Sequence, residues 1–395
     1  MSCSKCQCCN AKTQILAVIL DLDGTLLNSE KATKSVLKDF LRKYGKVLDI
    51  EKEDNRLGVL HKESSAAIVI DYDLPLMPEQ YSKEIMPLYQ ERQVSSLYLS
   101  LWVQAKALPG ANRLIRHLHK HGVPLALASN SIRRNIETKV SHQQGWKEFF
   151  SVIIGSDEVN SGKPSPDIFL EAARRMSVDA DRCLVIEDSL VGVTAAKAAG
   201  MKVVAVPSLQ AQADRYSIAN SVLHSLLEFR PELWGLPPFE DWVQNALPIE
   251  PMSVKGLISK GFLCEYADDD PTALPDQVSG VYFGWAKHGT DGISKVVVCI
   301  GWERRCCTAK RVIKLCLIDG ISDYISDQQL QLLLVGYIRE LSKVNGSTNI
   351  EILEEDKSIA TAALDLPIFA HHISNPLIVE ASLVEDDCTT LTEPE

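Results

Sequence analysis

Two carboxylates, Asp21 and Asp23, close a short apolar run in the stretch ILAVILDLDGTLLNSE, residues 15–30. Side chains two residues apart point the same way along an extended backbone, so both acids reach one spot. One of them can act as a nucleophile or metal ligand, and the other can move protons. Carboxylates this close to a buried strand are costly without a cation. The pattern therefore points to chemistry rather than to a strand that merely ends in an acidic turn. Gly24 lets the chain turn tightly behind them. Ser129, Asn130 and Ser131 follow a second apolar run, VPLALA. A short hydroxyl there can hydrogen-bond a phosphate oxygen; taken alone, Ser129 reads rather as a helix N-cap. Lys163 stands between Gly162 and Pro164 in SGKPSPD. It can neutralise a carboxylate and a phosphate together, or simply be solvated in a turn. Glu187 and Asp188 follow the run CLVI. With Asp21 they make a hard-oxygen set suited to magnesium.

The elements that must position these groups are legible from the hydrophobic pattern. Residues 15–20, 123–128, 149–155, 183–186 and 201–206 read as short buried strands. Helical patterns at 111–120, 169–176 and 189–200 alternate with them, the last closed by Gly200 as a C-cap. Such alternation predicts an α/β doubly wound parallel sheet. All the acidic clusters then emerge at its carboxyl edge, where open α/β sheets bind ligands. Between the first two strands, residues 34–44, 62–70 and 78–92 predict a small helical insertion, a cap over about 31–107. Within it, residues 93–104 alternate polar and apolar, with Tyr98 and Trp102 among leucines. That segment is a candidate wall for a broad apolar ring or a packing insertion that blocks the site.

In this strand context the order DLDGT, ASNS, GKPSPD, IEDS resembles the haloacid dehalogenase superfamily of phosphatases. The resemblance implies Asp21 as the nucleophile, forming an aspartyl-phosphate. It implies Asp23 as the acid that protonates the leaving alcohol and the base that then activates water. Ser129, Asn130 and Lys163 would hold the phosphoryl group. Asp21, Asp188 and the Asp23 backbone carbonyl would bind Mg2+, with Glu187 assisting, and the helical cap would select the substrate.

The whole chain has 395 residues, 46% of them apolar, and a formal net charge of −11. Its length suggests two or three domains, and its acidity argues against nucleic acid as a partner. No apolar run approaches the ~20 residues of a membrane span, so no membrane span and a cytoplasmic location are expected. Four of the eleven cysteines, Cys3, Cys6, Cys8 and Cys9, lie in the first ten residues. They lack the second ligand pair of a zinc site. The expected organisation is a cysteine-rich tail (1–13), a phosphatase domain (14–224), a Pro- and Trp-containing linker (225–250), a second domain (251–385) and an acidic tail (386–395).

The second domain reads as strands at 280–285, 294–301, 311–318 and 330–338, followed by a helix over 350–363. A small antiparallel β-barrel with a C-terminal helix is expected. The order GVYFGWA, IGW, LLLVGYIRE, ALDLP resembles the riboflavin kinase domain. Behind this phosphatase, it resembles the plant two-domain riboflavin kinase/FMN hydrolases. The resemblance makes FMN the favoured phosphomonoester and implies ATP and flavin as ligands of the second domain. Glycerol phosphate or sugar phosphates are alternative substrates; a fully bifunctional enzyme and an inactive flavin-binding scaffold are alternative readings. The kinase pattern is broken at two places. The phosphate loop is shortened, with residues 255–261 running through Asp268, Asp269 and Asp270 to PTAL, where Thr272 survives and the family's asparagine is either replaced by Leu274 or deleted. Lys314 stands where the family has a glutamate, and a protonated lysine cannot accept a proton. An impaired kinase is expected.

Overall fold

Strand β1, Ala17–Leu20, has no polar side chain and is buried on both faces, which forces it to the middle of a sheet with cover on each side. Alternate residues serve the two covers. Val18 and Leu20 pack with Leu114, Ile115 and Leu118 of the helix Ala111–Lys120. Ala17 and Ile19 pack with Ile168 and Phe169 of the helix Asp167–Met176 and with Val193 and Ala196 of the helix Leu190–Ala198. The structure is a computed structural model that describes residues 14–49, 52–53, 56, 58–90, 92–94, 97–99, 105–208, 215–265, 274–288, 292–305, 308–318, 328–344 and 347–374. The cysteine tail, Trp102, Asp268, Asp269, Asp270, Thr272 and the acidic tail lie outside the described residues.

The remaining strands of the first sheet are β4 (Leu125–Ala128), β5 (Val152–Ile154), β6 (Cys183–Glu187), β7 (Lys202–Ala205) and β8 (Ser221–Val222). They run in the order β5-β4-β1-β6-β7-β8, every pair parallel. This is the doubly wound sheet expected from the alternation. The insertion contains the helices Glu30–Arg42, His61–Asp71 and Pro78–Gln90. They share a core of Val36, Leu37, Phe40, Leu41, Ile68, Tyr81 and Ile85. Later in the same insertion, β2 (Arg92–Val94) and β3 (Leu97–Leu99) pair antiparallel, Gln93 opposite Tyr98.

The chain divides into two compact units between Phe239 and Glu240. The division falls inside the stretch read as a linker. Leu226, Leu227, Phe229 and Leu236 join the core of the first unit. The second unit is a closed antiparallel barrel of six strands: β9 (Leu247–Ser259), β10 (Phe262–Glu265), β11 (Gly280–His288), β12 (Gly292–Arg305), β13 (Thr308–Leu317) and β14 (Gln329–Arg339). The sequence reading held four of these. It placed residues 255–261 in a shortened phosphate loop, whereas Lys255–Ser259 completes β9 and Lys260 and Gly261 make the turn into β10. The physical reason is alternation: Val254, Gly256 and Ile258 are buried while Lys255 and Leu257 face out. The helix Glu354–Leu364 covers one outer face, its Ala360, Ala363 and Leu364 packing with Val281, Phe283, Val297 and Cys299.

Candidate active site

Parallel pairing of β1 with β4 and β6 brings three strand ends to one edge. Asp21 leaves β1 with its N–H donated to the Ile186 carbonyl at 3.1 Å. This holds it level with Glu187, the last residue of β6, and Asp188 just beyond it. The backbone then curls, with Gly24 at φ +83° and the Leu26 N–H bonded to the Leu22 carbonyl. At the centre stands Lys163, 2% exposed. Its Nζ lies 2.6 Å from Asp21 Oδ1 and 2.7 Å from Glu187 Oε1. Asp21, Glu187 and Asp188 are all buried, each with a carboxylate oxygen within 4.8 Å of the others.

Each group is held from behind. Glu187 Oε2 accepts from the Ser189 N–H at 2.7 Å and from Ser189 Oγ at 3.0 Å, and that hydroxyl in turn caps the helix Leu190–Ala198 by accepting from the Gly192 N–H. Gly192 is required here: a Cβ would lie 1.7 Å from Glu187 Oε1. Thr25 Oγ1 donates to Asp188 Oδ1 at 2.9 Å. Asn130 acts on backbone. Its Oδ1 accepts from the Lys163 N–H at 2.9 Å, and its Nδ2 donates to the Gly58 carbonyl at 2.8 Å and the Lys163 carbonyl at 3.2 Å. Ser129 is buried at the end of β4; its Oγ accepts from the Ser131 N–H at 3.1 Å. The N-cap of the following helix, Arg133–Ser141, is Ile132 rather than Ser129. The insertion reaches this edge. Gly58 sits so close to Ser189 that a Cβ on it would be 2.5 Å from the hydroxyl, at a backbone φ of +73°.

Asp23 has a different environment. Its Oδ1 accepts from Ser29 Oγ at 2.5 Å and from Lys139 Nζ at 2.6 Å, and its Oδ2 from Ser131 Oγ at 2.9 Å. Burial opposes its charge, but Lys139 and the two hydroxyls outweigh it and hold the carboxyl below its ordinary range. Asp21 goes the other way. Burial, with Glu187 and Asp23 adding repulsion, outweighs Lys163 and pushes it up to about 7. For Lys163, burial is more than offset by Asp21 and Glu187, which keep it charged.

Three ionised carboxylates around one ammonium leave two negative charges uncompensated. That deficit and the all-oxygen donor set fit one Mg2+, so the residues present suit the metal that the sequence implies.

In the second unit Thr272 lies outside the described residues. Leu274, at the end of the same motif, is buried. Its N–H donates to Glu265 Oε1 at 3.2 Å and its carbonyl accepts from Arg311 at 2.9 Å. Arg311 also pairs with Glu265 at 3.0 Å and Asp276 at 2.8 Å. Along β13, Ile313, Leu315 and Leu317 are buried, while Lys314 turns to the other face, opposite Cys299.

The haloacid dehalogenase-like hydrolase family model matches residues 15–200, and the riboflavin kinase model matches residues 264–364. A bifunctional riboflavin kinase/FMN phosphatase of Arabidopsis thaliana is 44% identical over 92% of this chain and 97% of its own length. The chain belongs to the bifunctional riboflavin kinase/FMN phosphatase family. It is a haloacid dehalogenase-type phosphatase fused to a riboflavin kinase domain. Other relatives match about half of the chain. A probable pseudouridine-5'-phosphatase of Drosophila melanogaster is 38% identical over 56% of this chain and 95% of its own length. A (DL)-glycerol-3-phosphatase of Arabidopsis thaliana is 36% identical over 58% of this chain and 94% of its own length.

Within this family framework, sequence reasoning missed Lys139 and gave no role to Thr25 or Ser189. Thr25 lies two residues after Asp23 and Ser189 directly after Asp188, and the N-cap preference for serine was a usable signal for Ser189. Lys139 is one lysine on a helix, with no local pattern to distinguish it from a solvated one.

Proposed function

We propose that the first unit is a Mg2+-dependent phosphomonoesterase that hydrolyses FMN to riboflavin through an aspartyl-phosphate on Asp21. The observation that carries this reading is the buried ion-paired cluster of Lys163 with Asp21 and Glu187. An Asp21 carboxylate oxygen attacks phosphorus while the bond from phosphorus to the leaving oxygen breaks. Asp23, ionised in the resting site, takes up a proton carried in by the phosphate monoester monoanion and gives it to that oxygen. A water then attacks the aspartyl-phosphate and gives its proton to Asp23, and the bond between Asp21 and phosphorus breaks to release phosphate. Ser129, Asn130 and Lys163 hold the phosphoryl oxygens, with Asn130 also fixing the Lys163 backbone. Asp21, Asp188 and the Asp23 carbonyl bind the metal, with Glu187 assisting. When bound, Mg2+ offsets the negative charge that nucleophile and phosphate bring together.

FMN is favoured over glycerol phosphate because the second unit matches a riboflavin kinase and the 44%-identical relative bears FMN phosphatase in its name. The kinase domain is impaired and holds flavin, because Leu274 and Lys314 stand where the family carries polar catalytic groups. The match of the riboflavin kinase model over 264–364 favours a second reading, an enzyme active at both ends; ATP and flavin are then substrates of the second unit. No helix among the described residues is long and apolar enough to cross a membrane, which supports a cytoplasmic location. The test is phosphate release by the purified full chain with magnesium and FMN, glycerol phosphate or hexose phosphates, beside Asp21→Asn. FMN turnover ahead of the others and lost in Asp21→Asn is expected. Equal turnover in Asp21→Asn would remove the mechanism.

A further inference from the structure

We propose that Lys139 is a positioning residue for proton transfer: with Ser131 it aims the Asp23 carboxylate at the leaving oxygen. This rests on the phosphatase reading above. A carboxylate at the end of an open turn has two free torsions, and a proton donor must be held within hydrogen-bond reach of the departing atom. Here three donors from three separate parts of the chain take both Asp23 oxygens. Ser29 comes from the start of the insertion, Ser131 from the loop after β4, and Lys139 from the helix Arg133–Ser141.

Lys139 is not a surface lysine that happens to find an acid. Its side chain is 7% exposed and its Nζ is 2.6 Å from Asp23 Oδ1. It also reaches Ser131 Oγ at 3.4 Å, closing a triangle of Lys139, Ser131 and Asp23. The helix under it is anchored in the sheet core by Ile136 and Val140, so the ammonium comes from a fixed base. Exposed pairs tolerate several geometries; this one joins a buried ammonium to a part-buried carboxylate, is charge-assisted and is shared with a second donor, which restricts the carboxylate's orientation. Lys163 serves Asp21 in the same way. The site thus gives its two working carboxylates different lysines, Lys139 for Asp23 and, shared with Glu187, Lys163 for Asp21.

The test uses the full chain with saturating magnesium and compares kcat/KM for FMN with that for p-nitrophenyl phosphate. The second leaving group departs as a stable anion and needs no proton. The variants are Lys139→Met, Ser131→Ala, Asp23→Asn and the Lys139→Met/Asp23→Asn double variant. Lys139→Met should lower kcat/KM for FMN by about 10²-fold, the loss expected from a misplaced reacting group. For p-nitrophenyl phosphate it should lower it by less than about threefold, because the acid contribution is absent there. The double variant should match Asp23→Asn alone, since no carboxylate remains to aim. Ser131→Ala should move in the same direction by less, and it decides the matter if Lys139→Met does not fold. Equal losses on both substrates, or additive losses in the double variant, would overturn the proposal. If Asp21→Asn, run beside them, is inactive, such a result sinks this inference alone; if Asp21→Asn is active, the phosphatase mechanism beneath it fails as well.

Discussion

Replacing Lys163 by Met removes the one cation that the structure places between Asp21 and Glu187 while keeping the length of the side chain. The two carboxylates remain buried. Breaking a buried ion pair by deleting one partner costs about 3–5 kcal/mol, because the other charge is left uncompensated. The first unit spans Met1–Phe239, and for that size about 1 kcal/mol moves Tm by about 2–4 °C. The metal-free variant should therefore melt roughly 6–20 °C lower in the transition of that unit. Two further readouts have defined signs. Burial pushes the Asp21 carboxyl up to about 7 in the folded protein, from an ordinary value of about 3.8. Between those values the folded state binds more protons than the unfolded state, so stability falls as pH rises from about 4 to about 7. Loss of Lys163 raises the folded value further. The deficit of the variant should then be level between about pH 4 and about 7 and widen as pH rises above about 7, where the parent alone loses the Asp21 proton. Magnesium should also raise Tm more in Lys163→Met than in the parent, because a dication relieves a larger deficit of positive charge. Calorimetry at several pH values, with EDTA or magnesium, measures all three. A variant whose Tm, pH dependence and magnesium response match the parent would refute the claim that Lys163 balances this cluster.

Asp23→Asn should keep its fold and lose about 10²–10⁴-fold in FMN hydrolysis, the usual share of a general acid–base group; an unchanged rate would assign the proton to another residue. Gly192→Ala puts a methyl group into the space of Glu187 Oε1. Overpacking of this kind costs about 1–3 kcal/mol, and displacement of Glu187 from Lys163 should weaken magnesium activation; an unaltered magnesium titration would show that Glu187 is dispensable. Deleting residues 94–101 should change the ratio of FMN to glycerol phosphate turnover, and a folded deletion with the parental ratio would discard this segment as a specificity wall. The Asp21→Asn full chain, which cannot hydrolyse FMN on the proposed mechanism, should form little FMN from riboflavin and magnesium-ATP. Turnover at about 1–100 per second, the ordinary kinase range, would establish an active second site.

What could be read from the sequence was whatever is encoded locally. Asp21, Glu187 and Asp188 announce themselves because each follows an uninterrupted apolar run, and parallel pairing then makes their convergence unavoidable. Lys163 is fixed by its neighbours Gly162 and Pro164 as much as by its own charge. Lys139 was invisible because its partner lies 116 residues away in the chain, and only the packing of its helix brings them together. Strand β9 was hidden for another reason. Its first five residues, LPIEP, contain two prolines, which argue against a central strand. The structure accommodates them where the ladder is already irregular: the register between β9 and β14 shifts between Leu334 and Gly336, beside Pro248. A bulge lets a strand carry residues that the regular ladder would exclude.

The two carboxylates that opened the sequence reading are two residues apart and identical in chemistry, so nothing local can give them different work. The fold does that by dividing positive charge unequally. Asp23 receives an ammonium and two hydroxyls and is held as an acceptor, the form needed to take a proton from water. Asp21 shares its ammonium with Glu187 and stands beside Asp188, so charge there remains unbalanced and ionisation is costly. A nucleophile must be ionised to attack, and the arriving phosphate adds further negative charge. The missing positive charge is thus on the Asp21 side, within reach of Glu187 and Asp188, and not at the Asp23 carboxylate, which is already paired. The same asymmetry argues that magnesium acts on nucleophile and phosphate, while proton transfer is governed separately by Lys139 and Ser131. Environments that push two neighbouring acids apart are how one site performs nucleophilic and acid–base chemistry at one pH.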